Sequence, residues 1–167
     1  PMIRVFCGKA PEDDEEKARE IRHLQRACDL AAQVGIAVGL QNHPSTGDDM
    51  LRICEQTDRD NFSVLMDTGQ WEGSPGRTKG VGDPAHDIYR YMEQTLPHSS
   101  YVRCKIYRIQ NGTEDWLNYP RIFEILKGVD YNGMLSVVYE GQDVEEEATA
   151  IPKAVSYLRG LMAAYEA

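Results

Sequence analysis

Residues 36–50 have the sequence IAVGLQNHPSTGDDM, and this stretch decides the fold. Its first five residues form an apolar run. Three polar side chains follow, Gln41, Asn42 and His43, with a proline and a turn of small residues behind them. A short apolar run of this kind predicts a strand buried on both faces, as in a parallel sheet. Polar groups at the end of such a strand predict either a loop cap or one wall of a site.

Strand and helix patterns alternate along the rest of the chain. Further strands are predicted at residues 2–7, 61–66, 101–107 and 134–139, and apolar residues at spacings of three and four predict helices after each strand. The later helices are expected to start at residue 48 or 49, to span 84–95, to start near 120 and to span 151–165. This order predicts a parallel sheet with right-handed crossovers. Both a doubly wound sheet and part of a (β/α)8 barrel fit it, and the absence of GxGxxG and GxxxxGK[ST] disfavours nucleotide-binding versions.

Composition narrows the class of protein. A chain of 167 residues suits a single α/β domain, and its net charge of −9 argues against binding to nucleic acid or to an anionic membrane surface. No apolar run is long enough for a membrane span and no signal peptide is visible, so we expect a cytoplasmic protein. The four cysteines are widely spaced without a CxxC pair, which favours buried reduced thiols over a zinc knuckle or disulfides.

Polar and charged residues gather where the predicted strands end. The carboxyl ends of parallel strands meet at one edge of the sheet, so we expect these side chains to converge on a common pocket. Alternation places Tyr101, Arg103 and Lys105 on one face of the fourth strand, and Ser136, Val138 and Glu140 on one face of the fifth. The set expected to converge is Gln41, His43, Asp67, Arg103, Lys105 and Glu140.

Structural explanations for the same residues stay open. Asp67 precedes Thr-Gly, where it could cap a turn, and His43 precedes a proline, where it could satisfy loop backbone. The two basic residues of the fourth strand could pair with Asp67 and Glu140 as a purely structural unit. Trp71 could cover the rim of the core or stack on a ligand such as a sugar ring.

Six stretches together resemble the xylose isomerase-like sugar phosphate isomerase/epimerase superfamily. They are RVFCG, VGLQNH, LMDTGQW, YVRCKIY, YNGMLSVVYEG and IPKAVSYLRGLM. In order they are similar to the fourth to eighth strands of that family's (β/α)8 barrel and its last helix. The resemblance implies a partial TIM barrel over residues 1–167 that lacks the first three βα units, and the near-immediate start of a strand after Pro1 indicates a processed or truncated product. Such a half-barrel has two open sheet edges, which predict self-association or a partner chain that completes the barrel.

The resemblance also implies a divalent metal, Mn, Mg, Co or Zn, bound by Glu, Asp, His and Glu on strands five to eight. In this chain those positions are Gln41, Asp67, Arg103 and Val138. Only Asp67 is a ligand type, and an arginine cannot lose its proton to coordinate a cation. The sequence therefore disfavours a metal site of the family's type. A shifted site made by Asp67, Glu140 and His43 is the alternative.

The family's usual reaction is proton transfer next to a carbonyl, in the isomerisation or epimerisation of a sugar or polyol derivative. Such chemistry needs a base for the C–H proton and an electrophile for the developing enediolate. The converging strand ends suggest the hypothesis that Glu140 is the base, with Asp67 orienting it or holding a substrate hydroxyl, and that Arg103 and Lys105 are the electrophile. The three polar residues 41–43 would bind substrate hydroxyls.

A non-catalytic protein is the alternative. The lost ligands and missing strands favour a sugar-binding or assembly protein on a degenerate isomerase scaffold. An apurinic endonuclease on the same fold is disfavoured, because it would need several metals and a basic face.

Overall fold

Five parallel strands lie side by side in the order in which they occur along the chain. The computed structural model describes residues 1–166, with side chains as far as residue 164, so Ala167 of the predicted domain lies outside the described residues. The strands are β1 (Met2–Phe6), β2 (Ala37–Gln41), β3 (Phe62–Asp67), β4 (Ser99–Ile106) and β5 (Met134–Tyr139). The helices are α1 (Asp14–Ala32), α2 (Gly47–Thr57), α3 (Ile88–Thr95), α4 (Tyr119–Gly128) and α5 (Glu147–Glu166), with a 3-10 turn at Leu96–His98.

The strand order distinguishes between the two architectures. A doubly wound sheet reverses direction at a switch point, whereas here each strand pairs with the next one along the chain. Right-handed crossovers that always advance the same way place every connecting helix on the same face of the sheet. The chain is therefore half of a (β/α)8 barrel, with the helices outside, as predicted.

The two faces of the sheet differ in character. The outer face packs against the helices and forms the core, with Leu40, Met66 and Cys104 among its fully buried residues. The opposite face, called the inner face below, corresponds to the interior of a barrel. Register places these residues on the inner face: Met2, Arg4, Phe6, Gly39, Gln41, Leu65, Asp67, Tyr101, Arg103, Lys105, Met134, Ser136 and Val138.

A register shift between β3 and β4 sets which charged residues share the inner face. Val64 pairs with Ser99, but the next residue, Leu65, pairs with Tyr101, so Asp67 lies opposite Arg103. Without the extra residue Asp67 would pair with Val102, because alternation would be displaced by one position. The bulge therefore aligns the face of β4 that has Arg103 and Lys105 with the face of β3 that has Asp67.

Three helices begin at other residues than the sequence predicts. Thr46 caps α2 in a reciprocal capping box with Asp49, so the helix starts at residue 47. Asp87 caps α3, which starts four residues after the predicted position at 84. Backbone N–H groups of residues 149 and 150 already bond to the carbonyl of Glu146, so α5 starts at residue 147 and has Pro152 inside it.

All four cysteines are free thiols, but only Cys28 and Cys104 are buried as expected, whereas Cys7 and Cys54 are partly buried. Burial raises the pKa of Cys104 to about 12 and that of Cys54 to about 11, so both are un-ionised near neutral pH. Among the described residues, none of the helices is both long and apolar enough to cross a membrane.

The two outer strands leave unpaired backbone edges and exposed apolar side chains. Ile3 and Phe6 on β1 are each 53% exposed, and Met134 on β5 is 64% exposed. An unpaired edge with apolar side chains is a template for association with another chain. We therefore predict that the 167-residue chain self-associates in solution, which size-exclusion chromatography with light scattering measures.

Lysine substitution at the edges, in the double variant Ile3→Lys/Met134→Lys, is expected to shift the chain towards monomer. The matched control is Val81→Lys, because Val81 is exposed but lies in a loop outside the sheet. A monodisperse wild-type monomer would contradict the prediction.

Candidate functional site

The carboxyl ends of β2 to β5 bring a cluster of charged and amide side chains together. Gln41 and Asp67 are the last residues of their strands, Arg103 and Lys105 alternate along β4, and Glu140 directly follows β5. Of the predicted set these five are connected by hydrogen bonds or ion pairs. We call them the charge cluster. It lies on the inner face, at the end of the sheet where parallel α/β folds place their chemistry.

Asp67 is the centre of the charge cluster and is fully buried. Its Oδ1 accepts from the backbone N–H of Gly69 at 3.1 Å, and its Oδ2 accepts from Gln41 Nε2 at 3.2 Å. Lys105 Nζ lies 3.4 Å from the same Oδ2, and Arg103 Nη1 lies 3.7 Å from it. Burial raises the pKa of this carboxyl, and the opposing influences are Lys105, the Gly69 N–H and Arg103. The carboxylate has no surface left for a ligand.

Lys105 is buried to the tip of its side chain, with 1% exposure, and connects two carboxylates. Its Nζ donates to Glu140 Oε1 at 2.5 Å and lies 3.4 Å from Asp67 Oδ2. A buried ammonium requires this pairing, because an unpaired charge in the interior is very costly. Gly69 makes the burial possible: a Cβ at that position would lie 2.5 Å from Lys105 Cγ, so only glycine lets the loop lie against the lysine stem.

A second set of hydrogen bonds holds the backbone of Lys105 in place. Its N–H donates to Thr68 Oγ1 at 2.9 Å, and its carbonyl accepts from the hydroxyl of Tyr119 at 2.7 Å. The Thr68 and Tyr119 hydroxyls are 3.2 Å apart, which closes the ring of contacts. Neither Thr68 nor Tyr119 was predicted to be part of the site from sequence patterns. A threonine after a strand gives a weak signal, and a tyrosine 51 residues from Thr68 gives none.

Arg103 and Glu140 are the members of the charge cluster that reach solvent. The Glu140 side chain is 47% exposed and that of Arg103 is 18% exposed. Arg103 Nη1 donates to Gln41 Oε1 at 2.7 Å, so Gln41 connects the guanidinium to Asp67. Within the described residues, Nε and Nη2 of Arg103 donate no hydrogen bond.

The remaining predicted site residues lie around the charge cluster. The Asn42 amide is buried and spans the backbone of Asp67, donating to its carbonyl at 3.0 Å and accepting from its N–H at 2.7 Å. His43 is half-buried and packs edge-on against Phe6, with ring centroids 5.9 Å apart. Trp71 is fully buried against Tyr91, so neither face of its ring is open to a ligand in this structure.

The cluster does not fit a divalent metal. Asp67 is the one ligand type at the family's four positions, and its oxygens already accept from Gly69 and Gln41. The ammonium of Lys105 takes the place of a cation between Asp67 and Glu140, so the shifted set of Asp67, Glu140 and His43 is not assembled as a metal site either. Within the described part of the chain, no group of three or more His, Cys, Asp or Glu residues could hold a metal ion.

The fold and the position of the charge cluster are those of a (β/α)8 barrel, a class whose functional sites lie at the carboxyl ends of the strands. A family model described as xylose isomerase-like TIM barrel matches residues 1–161. The chain belongs to this family.

Known relatives extend well beyond this chain. It is 28% identical over 141 residues to an inosose dehydratase of Lacticaseibacillus casei, a match that covers 82% of this chain and 43% of the relative. A xylose isomerase domain protein from Planctomyces limnophilus superposes with a TM-score of 0.70 at 19% identity, over 96% of this chain and 58% of that one. D-psicose 3-epimerase from Clostridium cellulolyticum H10, solved with D-tagatose, gives a TM-score of 0.67 at 13% identity, over 92% and 58%. The chain thus spans about half the length of these proteins.

Asn42 is predicted to hold the site together rather than to face solvent. The Asn42→Leu variant removes the side-chain acceptor for the buried N–H of Asp67 and one of the two donors to its carbonyl, the other being the N–H of Gln70, which costs about 2 kcal/mol of unfolding free energy. Urea denaturation measures the change. Asn111→Leu, at an exposed loop position, is the matched control and should leave the free energy of unfolding nearly unchanged. Equal stabilities of the two variants would contradict this assignment.

The charge cluster is also predicted to exclude divalent metal. Titration of the apoprotein with Mn²⁺, followed by the electron paramagnetic resonance signal of the free ion, should show no stoichiometric site. The physical reason is the fixed positive charge of Lys105 and Arg103 around Asp67. A stoichiometric Mn²⁺ site that Asp67→Asn removes would show the opposite.

Proposed function

We propose that the charge cluster removes a proton from a carbon next to the carbonyl of a sugar or polyol derivative. Membership of the family supports a sugar-modifying enzyme. The relatives include proteins named as a dehydratase and as an epimerase. Epimerisation, aldose–ketose isomerisation and dehydration of a keto sugar can all begin with this step, so the proposal commits to the step and not to the final product.

Glu140 is the base in this proposal. Its carboxylate is the one in the cluster that a substrate can reach, with 47% of the side chain exposed, whereas Asp67 is fully buried. The ion pair with Lys105 fixes the position of Glu140 at the rim. Asp67 then acts through Lys105: it holds the ammonium and does not touch the substrate. This differs from an Asp67 that orients Glu140 directly.

The cations stabilise the charge that develops on the substrate. When Glu140 accepts the proton it becomes neutral, and the positive charge of Lys105 is no longer balanced on that side. A negative enediolate oxygen at the rim is then stabilised through space by this unbalanced charge and by the partly exposed guanidinium of Arg103. The compensation comes from groups already in place, so little reorganisation is needed.

Binding of hydroxyl groups falls mainly to His43 in this arrangement. The amides of Gln41 and Asn42 are committed to Arg103 and Asp67, so they shape the wall rather than bind the substrate. His43 is half-buried at the end of β2 and keeps polar atoms near the rim. Further βα units, from the same polypeptide, a second copy or a partner chain, would cover the inner face and supply the rest of the pocket.

The observation that supports the proposal is the chain of contacts from Asp67 through Lys105 to the exposed Glu140. The test is deuterium exchange. The protein is incubated in D₂O with D-fructose, D-tagatose and D-psicose, and loss of the proton signal next to the carbonyl is followed by NMR. We expect exchange with at least one ketose and a loss of about 100-fold or more in Glu140→Gln, the usual range for a general base.

The control variant is Glu146→Gln, an exposed glutamate six residues along the chain, which should exchange at the wild-type rate. Circular dichroism checks that both variants are folded. Full exchange by Glu140→Gln would exclude Glu140 as the base.

A non-catalytic sugar-binding or assembly protein is the second candidate. The poor fit to a metal favours it, since only Asp67 of the four metal positions has a ligand type. Saturable binding of these ketoses without any exchange in wild type would identify this alternative.

A further inference from the structure

We propose that Arg103 binds an anionic substituent of the substrate, a carboxylate or a phosphate monoester. This inference rests on the proposed function only in placing the substrate on the inner face. It adds to the proposed function the residue of this chain that would bind a charged group of the substrate.

The geometry of the guanidinium supports the proposal. Nη1 is committed to Gln41 at 2.7 Å and lies 3.7 Å from Asp67. The opposite edge, made by Nε and Nη2, has no partner among the described residues, and the side chain is partly exposed. Two parallel N–H donors on that edge match the two oxygens of a carboxylate or phosphate. Contacts on the first edge orient the second, so the donors are fixed before the ligand arrives.

Ser136 adds a second polar group at the same place. It is the register partner of Arg103 on the neighbouring strand β5, so both side chains lie on the inner face about 5 Å apart at the backbone. Its hydroxyl makes no hydrogen bond to the described part of the protein, and the residue is half-buried. A serine hydroxyl beside an arginine edge supplies a third donor to an anionic group.

The charge of the inner face points the same way. The inner face has three cations and two carboxylates. The cations are Arg4, Arg103 and Lys105, and the carboxylates are Asp67 and Glu140. The whole chain has a net charge of −9. A locally positive face on an acidic protein attracts anions to this one surface.

The distance from the base is compatible with a single ligand. Arg103 and Lys105 are two residues apart on β4, so their Cα atoms are separated by roughly 6–7 Å. An anionic group on Arg103 therefore leaves the carbons two or three bonds away beside the Lys105–Glu140 pair. Small sugar acids and sugar phosphates have this spacing.

The test uses three matched six-carbon ligands without an aldehyde or ketone, so that the proposed proton transfer cannot occur: D-glucitol, D-gluconate and D-glucitol 6-phosphate. Binding is measured by calorimetry, and the Nε–H resonance of Arg103 by ¹⁵N NMR. We expect at least one anion to bind on the order of tenfold more tightly than D-glucitol and to shift the Arg103 resonance. The anion that binds more tightly identifies the carboxylate or the phosphate class.

Two variants distinguish the effect of the paired N–H donors of Arg103 from a general effect of positive charge. Arg103→Lys keeps the charge but loses the paired donors, so we expect most of the preference for the anion to disappear. Arg22→Lys, at an exposed position of α1, is the control and should bind like wild type. If the Arg103 variant is unfolded, the shift of the wild-type Arg103 resonance decides alone.

Equal binding of all three ligands, or an Arg103 resonance that neither anion shifts, overturns the proposal. The outcome is independent of the proton-transfer step. Tight anion binding together with full exchange by Glu140→Gln would leave Arg103 as an anion site and exclude the base. The reverse combination would exclude only the anion site.

Discussion

The ammonium of Lys105, held between the carboxylates of Asp67 and Glu140, is the interaction on which the site depends. A lysine with 1% exposure is stable in the interior only when its charge is compensated, and the same applies to the fully buried Asp67. Each buried charge therefore needs the other. The close approach of Gly69 and the backbone clamps from Thr68 and Tyr119 serve to keep this pair aligned.

This arrangement explains how the chain differs from a metal-binding barrel of the same fold. A chelator can remove a metal ion and its positive charge from a site. The positive charges of a lysine and an arginine belong to the polypeptide and cannot be removed in this way. The cation here is part of the polypeptide, and its counter-charges are the buried Asp67 and the partly exposed Glu140. Chemistry at the rim would then depend on the state of Glu140 and not on the supply of a cofactor.

The sequence predicts the fold well because periodicity is a local property. All five strands and the alternation that puts Arg103 and Lys105 on one face follow from runs of five to eight residues. The convergence of the charge cluster follows from the rule for parallel strands. The bulge that pairs Leu65 with Tyr101 could not be predicted, since nothing local marks it. The contacts of Tyr119 and the burial of Trp71 depend on how distant loops pack, which single-sequence patterns do not contain.

The charge cluster is built from four consecutive strands, and hydrogen-bonded ladders fix its members relative to one another. The contacts within the cluster are therefore all made inside this part of a barrel. Two parts of such a barrel could diverge at different rates, or be exchanged by recombination, while the charge cluster stays intact. The other part would then set the shape of the space above the cluster, and one cluster could be combined with several different pockets over evolutionary time.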